Sequence, residues 1–311
     1  MLKKPCIAAN EAPVISETAA QYECYRKIKH HPCFSEMARH KYGRMHLAVA
    51  PECQVQCNYC HRCYDCVNES RPGVTSELLT PTEALTKVRE VVAKFPFIRV
   101  IGIAGPGEPL CNKETFAAFG LIREEFPQLK LCVSTNGLAL PDKLDLLDEL
   151  GVDTITVTIS TIDPYIGKEI YAYVNYQGKH LQGLEAAEVL LHRQLAGVKG
   201  AVDRGFIVKV NTVLIPSVND ECIVDLAKKL RKLKVYMMNI MPLLPQPNTK
   251  FGYLRRPSTD ERKRVQDECA VFIRQMSWCR QCRADAVGLL GHDLTQQVSE
   301  TCQSNPDCLC D

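Results

Sequence analysis

Three cysteines stand close together in Cys53-Gln-Val-Gln-Cys57-Asn-Tyr-Cys60, spaced C-x3-C-x2-C. Three thiolates on one short loop can hold three irons of a [4Fe–4S] cluster; a purely structural or electron-transfer cluster normally takes four, so one iron is left open for a small molecule. An open coordination position is the mark of a catalytic metal centre. A zinc ion is the competing occupant and would need a fourth ligand, which His61, Cys63 or Cys66 could supply. Further along, Cys279-x2-Cys282 has the spacing of two thiols that chelate one metal, and a zinc site or a redox disulfide would fit that spacing as well. Taken singly, Cys132 reads as a small buried hydrophobe and His46 as an ordinary hydrogen-bonded histidine. Cys111, Cys222 and Cys269 have no chelating spacing and are assigned to packing.

The chain has 311 residues, of which 17 are cysteine, and is 46% apolar. Disulfide-dense scaffolds are small, secreted and short of core, whereas this chain is long enough to bury one without staples. The N-terminal MLKKPCIAANEAP lacks the apolar h-region of a secretory signal, and an odd cysteine count does not suit a disulfide framework. The expectation is a cytoplasmic protein whose thiols are reduced or metal-bound. With 38 basic and 36 acidic side chains the net charge is +2, so no nucleic-acid partner is expected. No apolar stretch approaches the length of a membrane span, so no membrane is expected either.

The elements that must position these groups follow one rhythm from residue 45 to 276: a short β-rich run, a Gly/Pro/Asn turn, then an amphipathic stretch. Six units are expected, with strands at Met45 to Ala50, Arg99 to Ala104, Lys130 to Thr135, Thr154 to Ser160, Ile207 to Leu214 and Val235 to Met241. Thr80-Pro-Thr-Glu83 and Ser258-Thr-Asp-Glu261 are capping boxes that open the first and last helices. The helices between start near Asn112, Pro141, Leu181 and Asn219. Repeated βα units imply a parallel sheet covered by helices, with chemistry on the loops at the C-terminal ends of the strands. Residues 1–44 and 277–311 fall outside the rhythm and are expected to be Cys-bearing extensions to this core.

A three-cysteine loop after the first strand of six βα units resembles the radical S-adenosylmethionine (SAM) superfamily, an α/β fold built as a partial (β/α)6 TIM-like barrel. In that superfamily the open iron chelates SAM, and one electron cleaves it to a 5′-deoxyadenosyl radical. Gly102-Ile-Ala-Gly105-Pro-Gly107-Glu108 resembles the motif that binds the SAM amino group, and Ser134-Thr-Asn136-Gly137 lies where polar SAM contacts are found. The implied SAM contacts are Tyr59, Gly105, Gly107, Glu108, Ser134 and Asn136.

The resemblance narrows further. His31-Pro-Cys33-Phe-Ser-Glu36, Arg44-Met-His46, Tyr64-Asp-Cys66-Val-Asn-Glu69-Ser-Arg71-Pro-Gly73 and Trp278-Cys279-Arg-Gln-Cys282-Arg-Ala-Asp are similar to the NifB family of nitrogenase cofactor maturases. That family fuses two [4Fe–4S] clusters, besides the radical SAM cluster, into an eight-iron core with a SAM-derived carbide, using one SAM as methyl donor and a second as radical source. The resemblance implies three [4Fe–4S] clusters: one on Cys53, Cys57 and Cys60, one on Cys33, His46 and Cys132, and one on Cys279 and Cys282. Cys66 and Glu69, with His46, are the implied transient ligands or acid/base groups. It also implies a cluster donor, an electron donor of ferredoxin or flavodoxin type, and a separate cofactor carrier or scaffold. His61 and Cys63 depart from the family pattern, and Cys302, Cys308 and Cys310 have no counterpart in it; none of these has an assigned role.

Overall fold

The computed structural model describes residues 19–68, 73, 75 and 77–298. Six parallel strands run in chain order: β1 (Gly43–His46), β3 (Ile98–Ile103), β4 (Lys130–Thr135), β5 (Val152–Thr158), β8 (Ile207–Leu214) and β9 (Met237–Pro242). The crossovers carry α2 (Pro81–Lys94), α3 (Lys113–Glu125), α4 (Leu140–Glu149), α6 (Gly183–Arg204) and α7 (Ile223–Lys232), and α8 (Thr259–Ala270) follows the last strand. Every residue of β5, β8 and β9 is buried, as a parallel sheet covered on both faces requires. Both capping boxes form: Thr80 Oγ1 accepts from the Glu83 amide while Glu83 Oε2 accepts from the Thr80 amide, and Ser258 and Glu261 repeat the pattern.

The expected strands at Lys130 to Thr135 and Ile207 to Leu214 coincide with β4 and β8, and the other boundaries move by one to four residues. The largest shift is at β1, which ends at His46. Its contact with the β3 side is kept by single hydrogen bonds, Leu47 N to Gly102 O and Ala50 N to Gly105 O.

Residues 161–180 carry no element in the sequence expectation, and here the structure adds α5 (Pro164–Ile170) and a hairpin, β6 (Tyr171–Tyr176) with β7 (Lys179–Gln182). Gln177 and Gly178 both take positive φ, 49° and 76°, the geometry of a two-residue hairpin turn. The hairpin pairs with β2 (Val55–Cys57) inside the cysteine loop, Cys57 lying opposite Tyr171. The loop therefore rests on its own small antiparallel sheet.

The parallel sheet does not close on itself. Its gap is spanned by the segment after α8: Met238 N donates to Arg274 O and Met276 N to Met238 O along the β9 edge. The same segment ends in β10 (Val287–Leu289), antiparallel to β1, and β11 (His292–Asp293) follows on it. At the other end of the chain, α1 (Ala19–Ile28) leads into residues 31–34, and Trp278 Nε1 donates to Pro32 O, tying the two peripheral segments together. Both Cys-bearing peripheries are thereby drawn over the open side of the barrel. Among the described residues no helix is long and apolar enough to cross a membrane.

Candidate functional site

Cys53, Cys57 and Cys60 occupy one turn after β1. The turn closes with Cys60 N donating to Cys57 O, and Gln56 Nε2 donates to the carbonyls of both Cys57 and Cys60. Asn136 Nδ2 lies 3.7 Å from Cys53 Sγ and Asn68 Nδ2 3.8 Å from Cys57 Sγ, so each of these two thiols has an amide donor facing it. Burial pushes Cys53 up to about 11 and drives Cys57 and Cys60 in the same direction. Buried thiols held protonated in this way lose the proton when a metal replaces it. Among the described residues no three His, Cys, Asp or Glu side chains converge closely enough to hold one ion.

The expected SAM contacts divide into two kinds. Gly107 has no room for a side chain: a Cβ there would sit 2.4 Å from Glu52 O and 2.5 Å from Pro51 O. Its close approach is to this chain's own loop, where Gly107 N donates to Ala50 O and Glu108 N to Glu52 O. Glu108 is likewise turned inward. Its Oε1 accepts from Thr135 Oγ1 at 2.6 Å and Leu110 N at 3.0 Å, and its Oε2 from Asn136 N at 2.6 Å. Burial raises this carboxyl to about 7 against the pull of those donors. Gly107 and Glu108 thus bolt the ends of β3 and β4 to the cysteine loop. Tyr59 is fully buried and donates to Asn68 Oδ1 at 2.7 Å, supporting the same loop from beneath. Ser134 faces the cavity described next, and Gly105 packs beside Ala284.

Glu108→Gln is expected to cost about 1–3 kcal/mol, because an amide nitrogen must then face one of three N–H or O–H donors. A melting temperature equal to that of the parent protein would contradict this clamp.

A second set of donors lines a cavity inside the barrel, against the inward-facing residues of the strands. Cys33, His46, Cys132, Cys279 and Cys282 all open onto it, although they come from opposite ends of the chain and two separate strands. Cys33 is pushed up to about 12 by burial, and burial with the nearby Arg44 guanidinium lowers His46 to about 4. His46 Nδ1 lies 3.1 Å from Arg283 O; a carbonyl only accepts, so Nδ1 carries the proton and Nε2 keeps a lone pair for a metal. The same lining includes Arg44, Lys209 and Arg280 and, among the described residues, no carboxylate. A thiolate-ligated iron–sulfur cluster is anionic, and cations without acidic neighbours suit it. His31 Nε2 and Arg44 Nε, both buried there, have no hydrogen-bond partner among the described residues. The donor set, the charge and these orphaned donors all fit an iron–sulfur occupant.

Cys66 lies apart from those five. Its amide donates to Pro106 O, and its thiol is raised by burial and by the neighbouring Cys60, Cys53 and Cys57, which puts it beside the three-cysteine loop. Glu69, like Cys6, Cys302, Cys308 and Cys310, lies outside the described residues. Cys24 and Cys63 are disulfide-bonded, which departs from the expectation of reduced thiols at those positions. Cys269 is buried in the main core and Cys222 is half-buried against Thr161 and Asn219, as packing residues.

Sequence reasoning missed a row of buried amides that joins the two sets. Asn239 Nδ2 donates to Asn211 Oδ1, Asn211 Nδ2 to Asn68 O, and Asn68 reaches both Tyr59 and Cys57. Gln194 on α6 holds the turn after β4 from outside by donating to Asn136 O and Thr158 O. A signal was present: Lys209 and Asn211 alternate with valines inside a strand otherwise apolar enough for a core, which marks the inward face of a functional barrel.

The sequence profile of the radical SAM superfamily matches residues 47–230, from just after β1 through most of α7. The chain belongs to the radical SAM superfamily. Within that superfamily it is 50% identical over 282 residues to the FeMo cofactor biosynthesis protein NifB of Herbaspirillum seropedicae, covering 89% of this chain and 54% of that protein. Against the NifB of Klebsiella pneumoniae it is 46% identical over 305 residues, covering 96% of this chain and 63% of that protein. The chain therefore spans less than two thirds of the length of either relative. Among solved structures, Streptococcus suis SuiB bound to S-adenosylmethionine shares the fold, with a TM-score of 0.55 over 78% of this chain and 52% of that one at 14% identity. These likenesses make the (β/α)6 arrangement a radical SAM barrel, and in this chain the cysteine loop follows β1.

Proposed function

We propose that this radical SAM enzyme builds the iron–sulfur core of the nitrogenase FeMo cofactor by joining two [4Fe–4S] substrates with a carbon taken from SAM. The observation that carries this reading is the gathering of Cys33, His46, Cys132, Cys279 and Cys282 around one cation-lined cavity beside the three-cysteine loop. A radical SAM enzyme whose only cluster is the one on the three-cysteine loop has no need of four thiols and an imidazole there. Cys53, Cys57 and Cys60 would hold the resident cluster, which with SAM supplies reductive cleavage and a methyl donor.

The chain's own groups have distinct tasks in this proposal. Cys33, His46 and Cys132 hold one substrate cluster, and Cys279 and Cys282 hold the other. Thiolates bind iron firmly, while imidazole is the weaker, exchangeable donor, suited to a bond that must be released as the two substrates merge. Once released, His46 Nε2 is free to take up a proton, with Nδ1 still anchored on Arg283 O. Asn136 and Ser134 orient SAM from the end of β4. The segment 274–289 covers the open side of the barrel and restricts water. Cys66 and Glu69 would serve as transient ligands or acid/base groups; for Cys66 the support is its place between the cysteine loop and the Gly105 to Gly107 turn. The reaction calls for a cluster donor, a ferredoxin- or flavodoxin-type reductant and an accepting carrier or scaffold in the cytoplasm.

Anaerobic reconstitution tests the reading by iron count. Three cubanes give about twelve irons per chain, against about four for a bare radical SAM enzyme. A plateau at the lower figure would overturn it. His46→Ala is expected to slow cluster fusion about tenfold or more while leaving the loop cluster's spectrum unchanged. Parent-like fusion rates in that variant would remove His46 from the ligand set.

A further inference from the structure

His31 lines the same cavity as Cys33, His46 and Cys132, is 1% exposed, and has an unpartnered Nε2. Its other ring nitrogen is fixed by the backbone: Cys33 N donates to His31 Nδ1 at 3.2 Å. A nitrogen that accepts from an amide carries no proton of its own, so the imidazole is neutral and its hydrogen sits on Nε2. His46 is locked the opposite way, its Nδ1 proton given to Arg283 O and its Nε2 left with a lone pair. The two histidines of one cavity therefore have opposite chemistry. One presents a metal ligand, the other an N–H.

We infer that His31 is a positioning residue that donates its Nε2 hydrogen to a sulfur, sulfide or thiolate, of the iron–sulfur substrate held by Cys33, His46 and Cys132. A buried donor with no acceptor costs free energy, and an anionic sulfur-rich occupant is the chemistry that recovers it. Three features keep the ring from turning away. The Cys33 amide grips Nδ1, the Phe34 ring meets the imidazole edge-on with centroids 4.6 Å apart, and Pro32, between His31 and Cys33, is held through its carbonyl by Trp278 Nε1. Arg44 offers a second orphaned donor, Nε, in the same lining, while its Nη1 is committed to Gly288 O and Leu289 O. The cavity thus carries N–H groups for the sulfurs as well as ligands for the irons.

This inference rests on the proposed occupancy of the cavity, and its test separates the two. The full chain is loaded anaerobically with iron and sulfide, without SAM, as parent protein, His31→Phe and His31→Gln. Phenylalanine keeps the ring packed on Phe34 but has no N–H; glutamine restores one. Hydrogen bonds to cluster sulfurs stabilise the reduced, more negative state. His31→Phe is expected to load the parent's iron but to show a more negative midpoint potential and to lose an exchangeable-proton coupling in the reduced cluster's ENDOR spectrum. His31→Gln is expected to recover both in part. If the parent protein loads only the loop cluster, the occupancy itself fails and the inference falls with it. If the parent loads fully and His31→Phe has an unchanged potential and proton coupling, the donor role alone is overturned. A loss of cavity iron in both variants would make His31 an iron ligand or a structural support, which also overturns it.

Discussion

Cys57→Ala is expected to abolish reductive SAM cleavage, with 5′-deoxyadenosine falling to the background seen without reductant. Cys57 is the middle thiol of the loop and the most enclosed of the three, lying with Tyr59 and Val174 in a small apolar cluster under the β2–β6 pairing. Removing its sulfur leaves a gap of about one or two methylenes, worth on the order of 1 kcal/mol, so the fold survives. The three thiols are the whole protein ligand set proposed for the resident cluster, so removing one is expected to lose the cluster's catalytic form and SAM cleavage with it. A variant that still produced 5′-deoxyadenosine at the parent rate would place the resident cluster elsewhere.

Cys279→Ala should separate the two halves of the site. Cys279 belongs to the segment that closes the barrel and packs with Trp278, Met276 and Met237, a different apolar cluster from the one that supports the three-cysteine loop. Reductive cleavage of SAM is expected to persist in part, while the eight-iron product disappears because one substrate cluster loses a ligand. Full product formation by this variant would remove Cys279 from the ligand set. The reverse pattern, cleavage lost and product retained, is incompatible with the roles proposed for these two cysteines.

Local signals in the chain carried most of the barrel. Valine-rich runs of six to eight residues, capping boxes at Thr80 and Ser258, and glycine turns are short-range features, and they recur where the strands and helices form. The C-x3-C-x2-C spacing is equally local. What could not be read was long-range: the placement of residues 31–33 and 274–289 over one opening depends on Trp278 meeting Pro32 and on Met276 pairing with Met238, contacts with no periodic trace. Proximity of Cys33, Cys132 and Cys282 follows only from that closure. The same holds for Glu108. An acidic residue after a glycine turn suggests a ligand-facing carboxylate, but the donors that enclose it, Thr135 and Asn136, arrive from the neighbouring strand. The β6–β7 hairpin was legible in principle, since Tyr171, Tyr173 and Val174 precede a Gln-Gly turn, yet a six-unit βα rhythm draws attention past it.

The central claim, that one chain uses SAM both as methyl donor and as radical source on iron–sulfur substrates, is tested most directly by a single turnover experiment. The cluster-loaded protein is incubated anaerobically with dithionite and SAM, and S-adenosylhomocysteine and 5′-deoxyadenosine are quantified together. Both products are expected in comparable amounts, and both should decline when Cys33, Cys132, Cys279 and Cys282 are replaced by alanine. Formation of 5′-deoxyadenosine alone, at a rate indifferent to those four cysteines, would contradict the account.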